Sequence, residues 1–310
     1  MFKKITKILK KIVIFFIPHG LYKIIEKKLK KFEENKIKNN KFDIIIENFN
    51  IPLKDNMDCV ILGNGPSLKE SLQSKKNYEF IISKPKFCVN SFPISNEFFK
   101  LKPEFLVFMD PFYWAKNLSE PYKSEIIKIK ENIKKADWDI TIIMPKYAEK
   151  WNFFIDISSK KILVKYINTN TSNESDFNKK VILFKTNQAM PQVQNVLIAC
   201  LYVGINIGFK NLYIFGADHS WHENLMIDEN NILNIKDLHF YDNTDIKYNK
   251  AYSEADLSKI FNMCSFFEAL SKKFYGYMEL EKYSKLLGSK IFNASAKSYI
   301  DAFEKIKIDR

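Results

Sequence analysis

The feature that most constrains the fold is the alternation of short apolar segments with longer segments of helical spacing. Residues 59–62, Cys-Val-Ile-Leu, and residues 211–215, Asn-Leu-Tyr-Ile-Phe, are typical of buried strands. Strands that alternate with helices usually form a mostly parallel sheet, so we predict an α/β fold with helices on both faces. The other predicted strands are residues 86–89, 105–109, 140–144, 162–166, 181–184 and 290–292, and predicted helices include residues 195–205, 256–274 and 279–287.

The size and composition of the chain indicate one large globular domain. Its 310 residues are 46% hydrophobic and 27% charged, which is enough to bury a substantial core. We place this domain at residues 43–310. The four cysteines are far apart and form no CxxC pair, which favours buried, reduced thiols in a cytosolic protein over disulfides or a zinc site.

The net charge of +13 is concentrated in the first 42 residues, which hold 13 lysines and three glutamates. The rest of the chain is therefore nearly neutral, and we do not expect it to bind nucleic acid. Apolar residues of the arm repeat three and four apart, with lysines between them. The longest apolar run of the arm is too short to span a bilayer, so we predict basic amphipathic helices that lie on an anionic membrane surface. The alternatives are a helix packed on the protein itself or a dimer contact.

Glycine and small polar residues follow the first strand directly. Residues 63–67, Gly-Asn-Gly-Pro-Ser, take two of only 8 glycines in the chain. Glycine lets a ligand approach the backbone, and a helix that begins at Pro66 or Ser67 would present free N–H groups to a phosphate. This turn matches neither GxGxxG nor a Walker loop. An ordinary strand–turn–helix connection is an equal alternative.

Two further strands also end on polar residues. Asn90 and Ser91 follow residues 86–89, and Asp110 follows residues 105–109. Ligands of parallel sheets bind beyond the carboxyl ends of the strands, so these side chains are candidates for substrate binding. Asp110 would bind a hydroxyl or act as a base, although Asp before Pro more often caps a turn.

The strand at residues 211–215 leads into Gly-Ala-Asp-His-Ser-Trp-His. Asp218 and His219 follow it at once, and His222 and His239 lie close behind in the sequence. A zinc site is conceivable, but no fixed metal-ligand spacing is present, so we predict no metal. A histidine acting as general base is the favoured interpretation. For each residue taken alone, a structural role explains the sequence equally well: Asp218 would cap its turn, and His219 would bond to the backbone.

Taken together, the segments VILGNGPSLKE, FCVNSF and GFKNLYIFGAD, followed by a histidine, resemble the bacterial sialyltransferases that transfer sialic acid from CMP to lipooligosaccharides. The related MptE-like and motility-associated-factor flagellin glycosyltransferases share the GNGPSL turn and the strand that ends in Gly-x-Asp. The resemblance covers roughly residues 57–300. It implies a Rossmann-like nucleotide-binding domain, a small lid, here near residues 219–255, and no metal or other cofactor.

The resemblance also assigns roles to individual residues. His239 corresponds best to the catalytic base, with His219 as its rival and Asp218 in the Gly-x-Asp turn. Tyr241 and Tyr252 lie in the region of the tyrosines that hold the leaving phosphate, and residues 186–188 fall near a short Thr/Ser-Gly donor contact whose glycine is absent here. Together, the strand ends and the resemblance predict these substrate-binding residues: Gly63, Asn64, Gly65, Ser67, Asn90, Ser91, Asp110, Thr186, Asn187, Gln188, Gly216, Tyr241, Tyr252, Asn293 and Ser295.

The function implied by this resemblance is a metal-independent, inverting glycosyltransferase at the inner face of the cytoplasmic membrane. It would use a CMP-activated acidic sugar, sialic-acid-like or Kdo, and a glycan or lipid-linked glycan acceptor of the cell surface. A magnesium-dependent pyrophosphokinase-like or nucleotidyl-transfer enzyme, with Asp110 and Asp218 as ligands, is the alternative. A non-catalytic membrane-associated assembly protein is a third hypothesis, and the oligomeric state, including a homo-oligomer, is left open.

Overall fold

The computed structural model describes residues 57–114, 120–154, 156–157, 159–242, 246–253 and 258–308. The predicted N-terminal arm, residues 1–42, lies outside these residues. In the described part of the chain, no helix is both long enough and apolar enough to cross a membrane. The strands, in chain order, are β1 (Cys59–Leu62), β2 (Lys86–Val89), β3 (Phe105–Val107), β4 (Ile140–Pro145), β5 (Ile162–Ile167), β6 (Asn211–Phe215), β7 (Leu225–Ile227), β8 (Leu233–Ile235), β9 (Asn249–Lys250), β10 (Lys290–Asn293) and β11 (Glu304–Lys305).

Eight of these strands form one sheet in the order β11-β10-β6-β1-β2-β3-β4-β5, and every neighbouring pair is parallel. This arrangement confirms the predicted α/β class with a mostly parallel sheet. The central strands β1, β2 and β3 are short and fully buried, as expected where helices cover both faces, whereas the edge strands β5 and β11 are more exposed. The helices are α1 (Ser67–Gln73), α2 (Lys75–Ile82), α3 (Glu97–Leu101), α4 (Glu120–Lys134), α5 (Phe177–Lys185), α6 (Val196–Ile207) and α7 (Met263–Leu287).

Successive side chains of each strand point to opposite faces of the sheet and so enter two separate cores. In β1, Cys59 and Ile61 pack with apolar residues of α5, α6 and α7. Val60 and Leu62 pack on the other face with residues of α1 to α4. Helix α6 is buried along almost its whole length, which explains why its sequence is apolar on all sides. The molecule is therefore a three-layer sandwich with the parallel sheet in the middle.

A second, antiparallel sheet is inserted between β6 and α7, in the region predicted to be a lid. It has the strand order β7-β8-β9. A small core fastens it to the first turns of α7, because Leu233 packs with Phe266 and Leu270. The sheet therefore forms part of the folded body on that side of the molecule.

One predicted strand is wrong, and the helices predicted at residues 256–274 and 279–287 are a single helix that starts later than predicted. Residues 181–184 were expected as a strand but belong to helix α5, in which Val181 and Phe184 are buried and Asp176 caps the first turn by accepting from the Asn178 N–H. Residues 279–287 continue α7, a single 25-residue helix that begins at Met263. Gly276 lies inside α7 without interrupting it. The helix passes so close to Gln192 at this point that an added Cβ would lie 2.6 Å from the Gln192 carbonyl oxygen, so the position requires glycine.

Candidate functional site

The candidate site lies where the order of the sheet reverses. From β1 the chain builds outward through β2 to β5, then returns to place β6 on the opposite side of β1. The connections after β1 and β6 therefore leave the sheet in different directions and open a crevice at the carboxyl ends of these strands. Crevices of this kind are the usual ligand sites of parallel α/β sheets.

The turns that follow β1 and β6 contact each other through their backbones. The Gly63 N–H donates to the Phe215 carbonyl at 2.8 Å, and the Gly65 N–H donates to the Gly216 carbonyl at 2.9 Å. A Cβ on Gly63 would lie 2.4 Å from the Gly216 oxygen, and one on Gly65 would lie 2.2 Å from Asp218 Oδ2. The glycines are thus required by the approach of one turn to the other.

Asp218 caps helix α1 with its carboxylate. Its carboxylate accepts from the Ser67 N–H, at 3.1 Å to Oδ1, and from the Ser67 hydroxyl, at 2.7 Å to Oδ2. The Leu68 N–H in turn donates to the Gly65 carbonyl. The expectation that this helix start presents free N–H groups and the Ser67 hydroxyl to a phosphate is therefore wrong: a carboxylate of the protein itself already occupies that position.

A cavity of about 510 Å³ opens at the crevice and brings together nine of the predicted site residues. Its walls come from the ends of β1, β2, β3 and β6, the start of α6, the loop after β8 and the inner side of α7. A pocket of this size matches the lower part of the range found for small-molecule sites. The predicted residues that line it are Gly63, Asn64, Gly65, Asn90, Asp110, Gly216, Asp218, His219 and His239.

Two amide oxygens in this cavity are buried without a hydrogen-bond partner. They are Asn64 Oδ1 and Asn90 Oδ1. The Asn64 amide nitrogen donates to the Val89 carbonyl at 3.2 Å, which fixes its oxygen as the free end. Asn90 has a positive φ of 49°, a conformation that Asn tolerates better than most residues. Buried acceptors without partners are costly, so these two oxygens indicate a ligand that supplies hydrogen-bond donors.

His239 reaches the cavity from the loop after β8. The Phe240 N–H donates to the Asn64 carbonyl at 2.9 Å and ties this loop to the turn after β1. The His239 ring lies between two carboxylates, with Nδ1 3.6 Å from Asp242 Oδ2 and Nε2 3.9 Å from Asp237 Oδ2. It also stacks in parallel on the Tyr241 ring. The histidine is thus held in place while about a third of its side chain remains accessible, 31%.

His219 also lines the cavity but is buried, with a positive φ of 54°. Its Nε2 lies 2.7 Å from the Tyr277 hydroxyl, which donates to Asn195 Oδ1 at 3.3 Å. Burial, together with the nearby Lys273 charge, lowers the pKa of His219 to about 3. A general base works best when its pKa is near the working pH, so His219 is much less suited to that role than a histidine open to solvent.

Asp110 lines the cavity and caps the turn that follows it, which was the alternative to substrate binding. Its Oδ1 accepts from the Phe112 N–H at 3.0 Å. Asp110 is exposed, but loss of water around its carboxyl raises the pKa of that group. The hydrogen bond from Phe112 opposes this rise. No group of three or more His, Cys, Asp or Glu side chains in the described ranges is arranged to hold a metal ion.

Several residues of this cavity were not among the predicted site residues. The lysines Lys236 and Lys273 come from the loop after β8 and from α7, and Gln194 and Asn195 come from the start of α6. None of them follows a strand of the main sheet directly, which is the signal that the sequence analysis used. The Asn195 N-cap at the head of a long apolar helix is the one local pattern that would have pointed here.

Nine predicted residues do not line the cavity. Ser67 is bonded to Asp218, and Asn293 and Ser295 are buried in the main-chain network beneath β6, where Ser295 Oγ accepts from the Ala217 N–H at 3.1 Å. Tyr252 is exposed beside the small sheet. The assignment of Asn293 and Ser295 to a turn over the nucleotide is not supported by this placement, because their polar atoms are used within the protein.

Ser91 and Tyr241 belong to a separate polar cluster behind the cavity wall. The Ser91 hydroxyl bonds with the Tyr113 hydroxyl at 2.7 Å and donates to Glu125. Burial raises the pKa of the Tyr241 hydroxyl, and carboxylates such as Glu125 add to that effect. Both residues hold the loop that carries His239.

Residues 186–188 lie at the end of helix α5 and follow no strand. Thr186 bonds to the helix carbonyl of Ile182, and Asn187 Oδ1 accepts from the Asn168 N–H at 2.9 Å. Asn168 in turn donates to the Gln188 carbonyl. The structure therefore does not bring Thr186, Asn187 or Gln188 to the cavity, since the segment expected to be a strand before them is helical.

Comparison with known proteins returns little that bears on activity. No protein-family model and no curated protein matches the sequence. Among solved structures, a MAf glycosyltransferase from Magnetospirillum magneticum AMB-1 is similar over 89% of this chain, with a TM-score of 0.45 and 12% sequence identity. This chain spans only 38% of that protein's length.

Proposed function

We propose that the protein is a glycosyltransferase that takes a nucleotide-activated sugar into the cavity between β1 and β6. The observation that carries the proposal is the meeting of Asn64, Asn90 and His239 in one cavity at the reversal of strand order. The resemblance of the GNGPSL and Gly-x-Asp segments to CMP-dependent sialyltransferases supports a CMP-activated acidic sugar as donor. The acceptor we propose is a glycan or a lipid-linked glycan.

The two unpaired amide oxygens fit the part of such a donor that carries hydroxyl and amino groups. A ribose, a sugar ring and an exocyclic amine each present donors to an acceptor such as Asn64 Oδ1 or Asn90 Oδ1. An unpaired buried acceptor costs roughly 1–3 kcal/mol, and a ligand that satisfies it recovers that cost. The floor of the cavity therefore favours a polyhydroxylated ligand over an apolar one.

His239 is the residue that we propose as the general base. It would take the proton from the acceptor hydroxyl as that oxygen attacks the anomeric carbon and the bond from this carbon to the nucleotide phosphate breaks. The imidazolium that forms would lie between the carboxylates of Asp237 and Asp242. Attack from the face opposite the phosphate inverts the anomeric centre.

The test is a donor screen followed by a single substitution. Purified protein is incubated with CMP-, UDP- and GDP-linked sugars and a mixture of glycan acceptors, and released nucleotide is measured with and without EDTA. We expect release from a CMP-linked acidic sugar that EDTA leaves unchanged. His239→Gln should then lower kcat about a hundredfold, the usual contribution of a general base, while donor KM stays close to wild type.

The matched control is His222→Gln, because His222 lies nearby but does not line the cavity. It should behave like the wild-type protein. Full activity of His239→Gln would remove this residue from the role of base. Activity abolished by EDTA and restored by Mg²⁺ would favour the pyrophosphokinase-like or nucleotidyl-transfer alternative, and a complete lack of nucleotide binding would favour the assembly protein.

The location of the enzyme is a separate part of the proposal. The lysine-rich arm, residues 1–42, would hold it on the anionic inner face of the cytoplasmic membrane, near a lipid-linked acceptor.

A further inference from the structure

Lys273 brings a positive charge into the cavity from the middle of helix α7. Its Nζ lies 4.1 Å from the centre of the Trp221 ring, so the indole holds the ammonium by a cation–π contact. Both residues line the cavity. No carboxylate of the described residues forms an ion pair with Lys273, although Asp110 and Asp237 are near enough for their charges to be felt. The ammonium is thus positioned without a direct counterion.

The surroundings of Lys273 disfavour an ammonium that has no counterion. Burial lowers the pKa of Lys273, and the charges of Asp237 and Asp110 only partly oppose this. A second lysine, Lys236, also lines the cavity, with its Nζ 4.8 Å from the centre of the exposed Tyr248 ring. An anion that enters the cavity would supply the missing counterion of Lys273 and stabilise its charged form.

The two sides of the cavity therefore have opposite preferences. The floor beside the sheet carries the unpaired acceptors Asn64 Oδ1 and Asn90 Oδ1, which bind donors. The wall formed by α7 and the loop after β8 carries the ammonium groups of Lys273 and Lys236, which bind anions, together with the Asp237 carboxylate. In the same cavity, the start of α1 does not offer a phosphate site, because Asp218 already occupies it.

We propose that Lys273, held by Trp221 and assisted by Lys236, binds the phosphate of the nucleotide donor, whose hydroxyl-bearing parts lie on the Asn64 and Asn90 floor. This inference rests on the proposed function, since it names the phosphate-binding residues of the same site. It assigns the charge stabilisation of the leaving nucleotide to a side-chain cation of α7, assisted by one from the loop after β8. The N–H groups at the start of α1, the kind of group that usually binds phosphate in parallel α/β proteins, have no part in it.

The experiment compares nucleosides with their phosphates in wild-type protein and in Lys273→Met. Methionine has a similar length and shape without the charge. Affinities for cytidine, CMP, uridine, UMP, UDP, guanosine, GDP and inorganic pyrophosphate are measured by calorimetry. We expect the wild type to bind one nucleotide at least about tenfold more tightly than its nucleoside, and Lys273→Met to lose that difference while nucleoside affinity is unchanged.

The matched control is Lys272→Met, which removes the exposed neighbouring lysine of the same helix. It should keep the wild-type preference for phosphate, and circular dichroism should show that both variants are folded. A Lys273→Met protein that retains the full preference would overturn the inference. If wild-type protein binds none of the nucleotides but binds pyrophosphate in a Lys273-dependent way, the anion site stands and the proposed function fails.

Discussion

At the scale of single residues, the glycines at the ends of β1 and β6 are needed because two turns share the space that one side chain would fill. Gly65 has an ordinary negative φ, so its cost of replacement is steric. A Cβ there would meet both Asp218 Oδ2, at 2.2 Å, and the Gly216 oxygen, at 2.7 Å. The same contact would displace the carboxylate that caps α1.

We expect Gly65→Ala to lower the free energy of unfolding by about 3 kcal/mol, the upper end of the cost of overpacking. The comparison is Gly288→Ala at the end of α7, where φ is +76° but the nearest atom, Lys210 Nζ, lies 3.8 Å from the added Cβ. That change should cost only about 1 kcal/mol, from the left-handed backbone. Urea unfolding of both variants measures the difference, and equal losses would contradict the steric argument.

His219 should make the stability of the protein depend on pH. Its pKa is about 3 in the folded state against an ordinary value of 6.5. Below pH 6.5 the unfolded chain therefore binds a proton that the folded chain does not, and stability falls by about 1.4 kcal/mol per pH unit until the pH approaches 3. Above pH 6.5 this contribution is fully present.

The variant His219→Asn removes the titrating ring and keeps a residue type that accepts a positive φ. When the pH is lowered from 7.5 to 5.5, its free energy of unfolding should fall by about 1.3 kcal/mol less than that of the wild type. Urea unfolding at the two pH values checks this. Parallel pH profiles for the two proteins would show that His219 does not carry the effect.

At the scale of secondary-structure elements, helix α7 serves both the fold and the site. Its buried face packs on α6 through Tyr277, Leu280 and Tyr283. Its first turns hold the small antiparallel sheet, and Lys273 between them faces the cavity. A change at the start of α7 is therefore expected to affect the loop that carries His239.

Leu233→Ala tests how the small sheet is fastened. Leu233 is 2% exposed and packs on Phe266 and Leu270, so its truncation should cost about 2–5 kcal/mol, felt first as loosening of the small sheet. Its cross-strand partner Ile227 is 48% exposed, and Ile227→Ala should cost less than about 0.5 kcal/mol. Limited proteolysis should cleave residues 225–250 faster in Leu233→Ala only. Equal cleavage in both would mean that the small core does not hold the sheet.

The sequence predicted most of these elements because buried parallel strands are short apolar segments with polar ends. Residues 59–62, 86–89 and 211–215 were identified with their observed bounds. The segment 181–184 was misassigned because its four apolar residues fit a strand. The deciding pattern is the helical spacing of the partly buried Phe177 and the buried Val181 and Phe184, which appears only over a longer window. An Asp218 that caps its own turn was weighed as one alternative, but its capping of α1 was not predicted, because that bond to Ser67 joins residues 151 positions apart.

At the scale of the whole molecule, the site is a consequence of topology. Four strand ends converge because β1 is central and β6 pairs with it on the side opposite β2. The polar residues after each strand predict that these ends meet, and Asn64, Asn90 and His239 are predicted residues that line the cavity. Lys236 and Lys273 were not predicted, because they belong to the inserted region and the last helix, whose position over the crevice no local pattern encodes.

The bond between the Phe240 N–H and the Asn64 carbonyl joins the His239 loop to the sheet without using a side chain. Any residue except proline can make this bond at position 240. The position of the loop therefore depends in part on a backbone bond, so a substitution at Leu238, which lines the cavity, can change the lining while this bond keeps the loop in register with the sheet.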